Sequence, residues 1–150
     1  MRIVLQRVTH ATVSIAGATV GRVGKGLVLL VGFTHADTLA EVHWMSDKIV
    51  DLRVFADDDG RMNRSIRDAG GELLVVSQFT LYGDASKGRR PSFVDAARPE
   101  AAVALYDAFV SSLRATGLGV ATGEFGADMH LELANDGPVT LVLDRNGSVG

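Results

Sequence analysis

Apolar positions along the first fifteen residues follow strand spacing. Residues 2–8 and 12–15 are rich in Val, Ile and Thr and predict one long strand or two short ones. Gly17 and then Gly21, Gly24 and Gly26 punctuate the next segment and suggest hairpin turns. Residues 27–33 are continuously apolar over a strand's length, the pattern of a strand buried on both faces. Thr38-Leu39-Ala40-Glu41 then has the spacing of a helix capping box. Leu39, Val42, Met45, Ile49 and Leu52 keep one helical face apolar behind it. Asp57-Asp58-Asp59-Gly60 reads as a turn or loop, and 73–79 as a second apolar strand.

Residues 83–90 are polar and basic, and predict a surface loop. Pro99 suits the first turn of a helix whose stripe is Val103, Tyr106, Phe109, Val110 and Leu113, with Gly117 near its C-terminal cap. Residues 120–125, 129–133 and 139–143 read as closing strands. Strands, helix, strand, helix, strands is not the regular alternation of a parallel β/α fold. It predicts an α+β protein, one compact domain over 1–150, with a mostly antiparallel or mixed sheet, barrel-like, and two main helices.

Composition narrows the chemistry. The 150 residues contain no cysteine, which excludes disulfides, thiolate catalysis and cysteine-bound metal. The net charge of −3 argues against coating long duplexes, although a small basic patch could still grip one RNA end. The first residues do not read as a signal peptide and no apolar run is long enough to span a bilayer, so the cytoplasm is the expected location. The Asn146-Gly147-Ser148 sequon then carries no meaning.

Several familiar sites fail on spacing. Asp57, Asp59 and Gly60 imitate a calcium loop, but Phe55 and Ile66 stand where ligands are needed. Gly21, Gly24 and Gly26 are in the wrong order for a dinucleotide fingerprint, and there is no P-loop. His10, His35, His43 and His130 lack zinc-site spacing, so no metal and no cofactor is expected. A Ser-His-Asp triad assembled in space stays open, without a G-x-S-x-G elbow to support it.

Two segments stand apart from the framework. Ser77-Gln78-Phe79-Thr80-Leu81-Tyr82 puts hydrogen-bonding side chains where an apolar strand leaves the core, either to face a ligand or simply to bond backbone. Asn135-Asp136-Gly137-Pro138-Val139-Thr140 reads as an inter-strand turn, with an X-Pro bond where a cis peptide is accessible.

These two segments resemble the signature motifs of the D-aminoacyl-tRNA deacylase family, S-Q-x-x-L and N-x-G-P-V-T. Gln6-Arg7-Val8, Gly88-Arg89-Arg90-Pro91-Ser92-Phe93 and Phe125-Gly126-Ala127-Asp128-Met129 resemble further family segments, in the same order and across nearly the whole chain. The resemblance implies a homodimeric hydrolase, similar in fold to the editing domain of archaeal threonyl-tRNA synthetases. It would cleave the ester of D-aminoacyl-tRNA, and of glycine mischarged on tRNA(Ala), as chiral proofreading in translation quality control. It implies a cis Gly137-Pro138 peptide inserted into the partner's active site, where its carbonyls would reject an L side chain. The catalytic wall would be Ser77, Gln78, Phe79 and Thr80, with the ribose 2′-hydroxyl of the terminal adenosine helping to activate water. Thr80 has no adjacent base and reads better as a positioning hydroxyl than as a nucleophile.

Other residues keep two readings each. The resemblance places Arg7 and Asn135 with Gly137 and Pro138 in the substrate-binding chiral filter; on the residues alone Arg7 supports the Gly137-Pro138 loop or merely snorkels. Phe125 and Met129 line an adenosine pocket or belong to the core. Lys87, Arg89 and Arg90 contact tRNA phosphates or are simply solvated. The rival functions are a general esterase indifferent to chirality and RNA, and a non-catalytic nucleic-acid-binding or assembly module.

Overall fold

The computed structural model describes residues 1–147, so Ser148 of the sequon lies outside them. Strand β1 (Arg2–Ile15) runs unbroken and buries Ile3, Leu5, Val8, Ala11 and Val13. The chain reverses at Ala16-Gly17, both with positive φ. It then returns along one edge of β1 as β2 (Ala18–Val23), paired with Ala11–Ile15, and β3 (Gly26–Gly32), paired with Arg2–Val8. These are two halves of one returning strand, interrupted at Gly24-Lys25. Only Gly17 sits in the hairpin turn.

Gly21 and Gly26 serve close approach, which corrects the turn reading for these two. A Cβ on Gly21 would lie 2.6 Å from the Thr122 carbonyl oxygen, and one on Gly26 would collide with the Glu72 backbone. The sheet therefore curls until β2 lies against its far edge. β3 continues in parallel to β6 (Glu72–Ser77), and β6 in parallel to β7 (Val120–Thr122). β8 (His130–Asp144) pairs antiparallel with the other edge of β1. The sheet is mixed and nearly closed into a barrel.

Helices α1 (Leu39–Asp51) and α3 (Pro99–Arg114) cover one face. Val42, Met45 and Ile49 from α1 and Tyr106, Phe109 and Leu113 from α3 pack there on Ile3, Leu5, Leu27, Leu29, Leu73 and Val75. A second core inside the curl holds Val8, Val13, Val28, Leu74 and Val76. Successive residues of β3 and β6 thus feed opposite cores, which is why both runs are continuously apolar. A short hairpin, β4 (Phe55–Ala56) and β5 (Met62–Arg64), and one-turn helix α2 (Ile66–Ala69) link α1 to β6.

Two expectations are corrected. The strand expected over 73–79 ends at Ser77, and Phe79–Tyr82 forms a 3₁₀ turn. The segments 129–133 and 139–143 belong to one strand, β8, because both halves pair with β1.

The predicted capping box is formed. The Thr38 hydroxyl accepts from the Ala40 N–H at 3.2 Å, and the buried Glu41 carboxylate accepts from the Thr38 N–H at 2.6 Å. Hydrogen bonds from the Thr38 side chain and then its backbone hold the Glu41 carboxyl below its ordinary range. A depressed folded-state pKa stabilises above the unfolded value and is lost as pH falls through the folded one. Thr38→Ala is expected to cost about 1 kcal/mol at neutral pH. Glu41→Gln is expected to flatten the loss of stability on acidification below about pH 4.5. Urea unfolding of each variant between neutral and acidic pH checks both.

Candidate functional site

A cavity of about 250 Å³ opens where β3 and β6 end. Gly32, Phe33, Ser77, Gln78 and Phe79 form one side of it, and Phe125, Gly126 and Met129 the other. Among the described residues, no Asp, Glu, His, Lys or Arg lines it. The sequence builds this by stopping the apolar run of β6 at Ser77. The Gln78 N–H still donates to the Val31 carbonyl at 2.7 Å, extending the pairing by one residue. The chain then leaves the sheet, and the Leu81 and Gly83 amides close the turn on Gln78 and Thr80 at 3.2 and 2.9 Å. Gly32 makes room for this turn, since a Cβ there would stand 2.9 Å from the Gln78 carbonyl oxygen. The first amides of such a turn have no acceptor within it.

Thr80 is exposed, and its hydroxyl accepts from the Gln78 side-chain amide. An amide is not a base, so the geometry gives Thr80 no means of activation. None of the four histidines lines the cavity. His35 lies 2.6 Å from the Val94 carbonyl oxygen and His130 3.6 Å from Glu132. A Ser77-centred triad is therefore not assembled in the cavity. Among the described residues no cluster of three or more His, Asp or Glu could hold a metal.

Phe125 and Met129 are at once cavity-lining and packed on the core. Each lines the cavity, while Phe125 also packs on the first core and Met129 on the second. Phe125 leans on the Tyr106 ring with centroids 5.8 Å apart. The buried Tyr106 hydroxyl donates to the Val75 carbonyl at 2.9 Å, and burial pushes its pKa up to about 12. It therefore remains a fixed neutral donor that orients this wall.

The Gly137-Pro138 peptide is cis, and Gly137 has a φ of +123°. Pairing passes from Gln6–Thr140 directly to Val8–Asn135, so Asp136, Gly137, Pro138 and Val139 together face Arg7. The sheet expels this excess as a bulge exposed at Asp136, Gly137 and Pro138. Asn135 spans its neck, accepting from the Val139 N–H at 3.1 Å and donating to the Thr140 hydroxyl at 2.8 Å. Arg7 donates to the Asp136 carbonyl at 3.2 Å and the Val54 carbonyl at 2.6 Å, and lies 3.3 Å from the Asp136 carboxylate. The bulge is held firmly, yet neither Gly137 nor Pro138 lines the cavity of its own chain.

Lys87, Arg89 and Arg90 are exposed in a loop whose base is closed by two backbone bonds between Asp84 and Ser92, at 2.7 and 2.8 Å. Sequence reasoning overlooked Gly32, Phe33, Ala97 and Ala102 as cavity residues. Gly32 carried a usable signal, because a glycine closing an apolar strand often marks close backbone approach. The other three look like core.

The family profile described as D-Tyr-tRNA(Tyr) deacylase matches residues 4–144. A D-aminoacyl-tRNA deacylase from Chloroherpeton thalassium is 57% identical over 145 residues, spanning 96% of this chain and 95% of that one. Another from Geobacillus sp. strain WCH70 is 53% identical over 150 residues, spanning 100% and 99%. A solved structure titled c-Myc DNA Unwinding Element Binding Protein superposes with a TM-score of 0.91 at 40% identity, over 98% of this chain and 100% of that one. A probable eukaryotic D-amino acid tRNA deacylase shares the fold at a TM-score of 0.84 and 20% identity, over 96% and 98%.

Proposed function

The chain belongs to the D-Tyr-tRNA(Tyr) deacylase family and is a D-aminoacyl-tRNA deacylase, a carboxylic ester hydrolase; from that premise we propose how it selects and cleaves its substrate. The domain spans 1–150 and acts as a cytoplasmic homodimer. The Gly137-Pro138 bulge of one protomer enters the cavity of its partner. What carries this reading is the mismatch within one chain: a braced, exposed bulge that does not line its own cavity. Two-fold exchange of such bulges would complete both cavities at once.

In the completed site, the esterified terminal adenosine lies between the Ser77–Thr80 wall and Phe125 with Met129. The partner's backbone stands where an L side chain would project. Backbone atoms cannot swing aside as side chains can, so the L-ester is rejected by collision. Glycine presents no side chain on either face and passes the same filter, which makes glycyl-tRNA a second substrate.

Catalysis proceeds without a side-chain acid or base, a reading supported by the lack of Asp, Glu, His, Lys or Arg in the cavity wall among the described residues. The Phe79 and Thr80 N–H groups donate to the developing oxyanion, and the Gln78 amide orients the ester. The substrate's 2′-hydroxyl helps activate water. No cofactor or metal enters the step. Held in this geometry, an already labile ester needs little further assistance.

Thr80→Ala is accordingly expected to keep kcat/KM for D-tyrosyl-tRNA within about threefold of the wild type, since its hydroxyl only anchors Gln78. Single-turnover deacylation measures it. Abolished cleavage in a folded variant that still binds tRNA would make Thr80 the nucleophile.

The 40% identical structure named for DNA binding favours a second reading, retention on DNA. Filter binding to duplex DNA and to tRNA at the same salt separates the two. The net charge of −3 predicts weak duplex retention.

A further inference from the structure

At the mouth of the cavity an aromatic pair is left open to solvent. Phe79 and Phe93 meet edge to face, with centroids 5.2 Å apart and ring planes at 70°. In the single chain Phe79 is 56% exposed and Phe93 39%, so burial within the chain's own core does not account for their placement. Phe79 is itself a wall of the cavity, while Phe93 follows Ser92, the closing residue of the basic loop.

The segment carrying Phe93 is rigidly mounted. The Phe93 ring rests on Gly83, where a Cβ would lie 2.9 Å from it. The Ala96 N–H donates to the Phe93 carbonyl at 3.1 Å and the Ala97 N–H to the Phe33 carbonyl at 2.9 Å. The Thr34 hydroxyl donates to the Asp95 carbonyl at 2.6 Å. The local charge opposes the chain's overall −3. Between Asp84 and Arg98 there are four cationic side chains and two acidic ones. The Asp84 carboxylate is turned inward onto the Ser86 N–H at 2.9 Å.

Exposed aromatic faces beside a basic loop are the two components that bind single-stranded nucleic acid. The ring stacks on a base, and the cations follow the backbone phosphates. We propose that Phe93, supported by Phe79, stacks the base of the penultimate nucleotide of the tRNA, next to the esterified adenosine. Lys87, Arg89 and Arg90 hold the phosphates on its 5′ side. Arg90 is three residues from Phe93, so their Cα atoms lie within about 10 Å. Stacking and phosphate contacts need no base-specific hydrogen bonds, so the subsite would be built from the aromatic ring and the cations alone. This inference rests on the deacylase reading and adds a subsite to it.

The test compares D-tyrosyl-tRNA with D-tyrosyl-adenosine, which lacks the penultimate nucleotide, and follows a fluorescent cytidine analogue at that position in uncharged tRNA. Phe93→Ala should lower kcat/KM for the tRNA about tenfold more than for the nucleoside ester. Phe93→Tyr and Phe93→Trp should restore the difference, and Phe93→Leu should not. Wild-type protein should quench the analogue, and Phe93→Ala should not. Arg89→Gln combined with Arg90→Gln should reduce the salt slope of tRNA binding by about two. Equal losses on both substrates, or wild-type behaviour of Phe93→Leu, would overturn the proposal. A changed mass of Phe93→Ala in sedimentation would also overturn it, by making the pair a subunit contact. Wild-type protein inert towards D-tyrosyl-tRNA would count against the deacylase reading alone, because quenching by uncharged tRNA reports stacking independently.

Discussion

Gly137→Ala is expected to lower D-tyrosyl-tRNA deacylation by about a hundredfold, the usual consequence of an ångström-scale misplacement at a reaction site, which is where the proposed filter puts this residue. At a φ of +123° an alanine is strained whatever space it finds. It finds little space. The new methyl would stand 2.9 Å from Nη2 of Arg7, 3.0 Å from Cγ2 of Val139 and 3.2 Å from the Val139 nitrogen. Arg7 and Val139 are fixed at the base of the bulge, so relief comes from moving the bulge itself. Asp136, Gly137 and Pro138 are exposed and bury no core surface, so thermal stability should fall by only about 4 °C. Paired kinetic and melting measurements check this. A melting point that collapses together with activity would show the bulge to be structural rather than selective.

Arg7→Lys is expected to reduce the same activity about thirtyfold, although charge is conserved. The Arg7 guanidinium divides its donors between the Asp136 carbonyl, the Asp136 carboxylate and the Val54 carbonyl, and its side chain is only 14% exposed. A lysine ammonium is a single point donor and cannot span these acceptors. Its loss also leaves the carbonyl of the buried Val54 short of a partner, at a cost of about 1–3 kcal/mol in stability. Both substitutions act on one bulge, so Arg7→Lys combined with Gly137→Ala should be little worse than Gly137→Ala alone. Fully multiplicative losses would mean that Arg7 contributes elsewhere.

Much of this architecture is legible in the sequence. α1 and α3 are legible because single apolar stripes, a capping box and Pro99 mark them. β3 and β6 stand out because neighbouring residues serve two different cores. The continuity of β8 is hidden, because the bulge that keeps its two halves on β1 looks locally like a turn. The turn reading of Gly21 and Gly26 fails for a related reason. Their need is set by Thr122 and Glu72, remote in sequence. β4 and β5 are two and three residues long, too short for any periodicity.

In the site, Ser77 and Gln78 are visible as polar residues interrupting an apolar run, and Asn135 to Thr140 as a motif. Phe33, Ala97 and Ala102 are invisible, since a small apolar wall of a cavity has the composition of a core. The pairing of Arg7 with Asp136 needs the fold, because these residues are far apart along the chain and meet only across the β1–β8 ladder.

The most direct test of backbone chiral selection is the deacylation rate of D-tyrosyl-tRNA and L-tyrosyl-tRNA on one tRNA preparation, with glycyl-tRNA alongside. Rapid loss of the D-ester and cleavage of the glycyl ester, with the L-ester left at its uncatalysed rate, is the predicted result. Comparable cleavage of the D- and L-esters would contradict a filter at Gly137-Pro138 and leave a general esterase in its place.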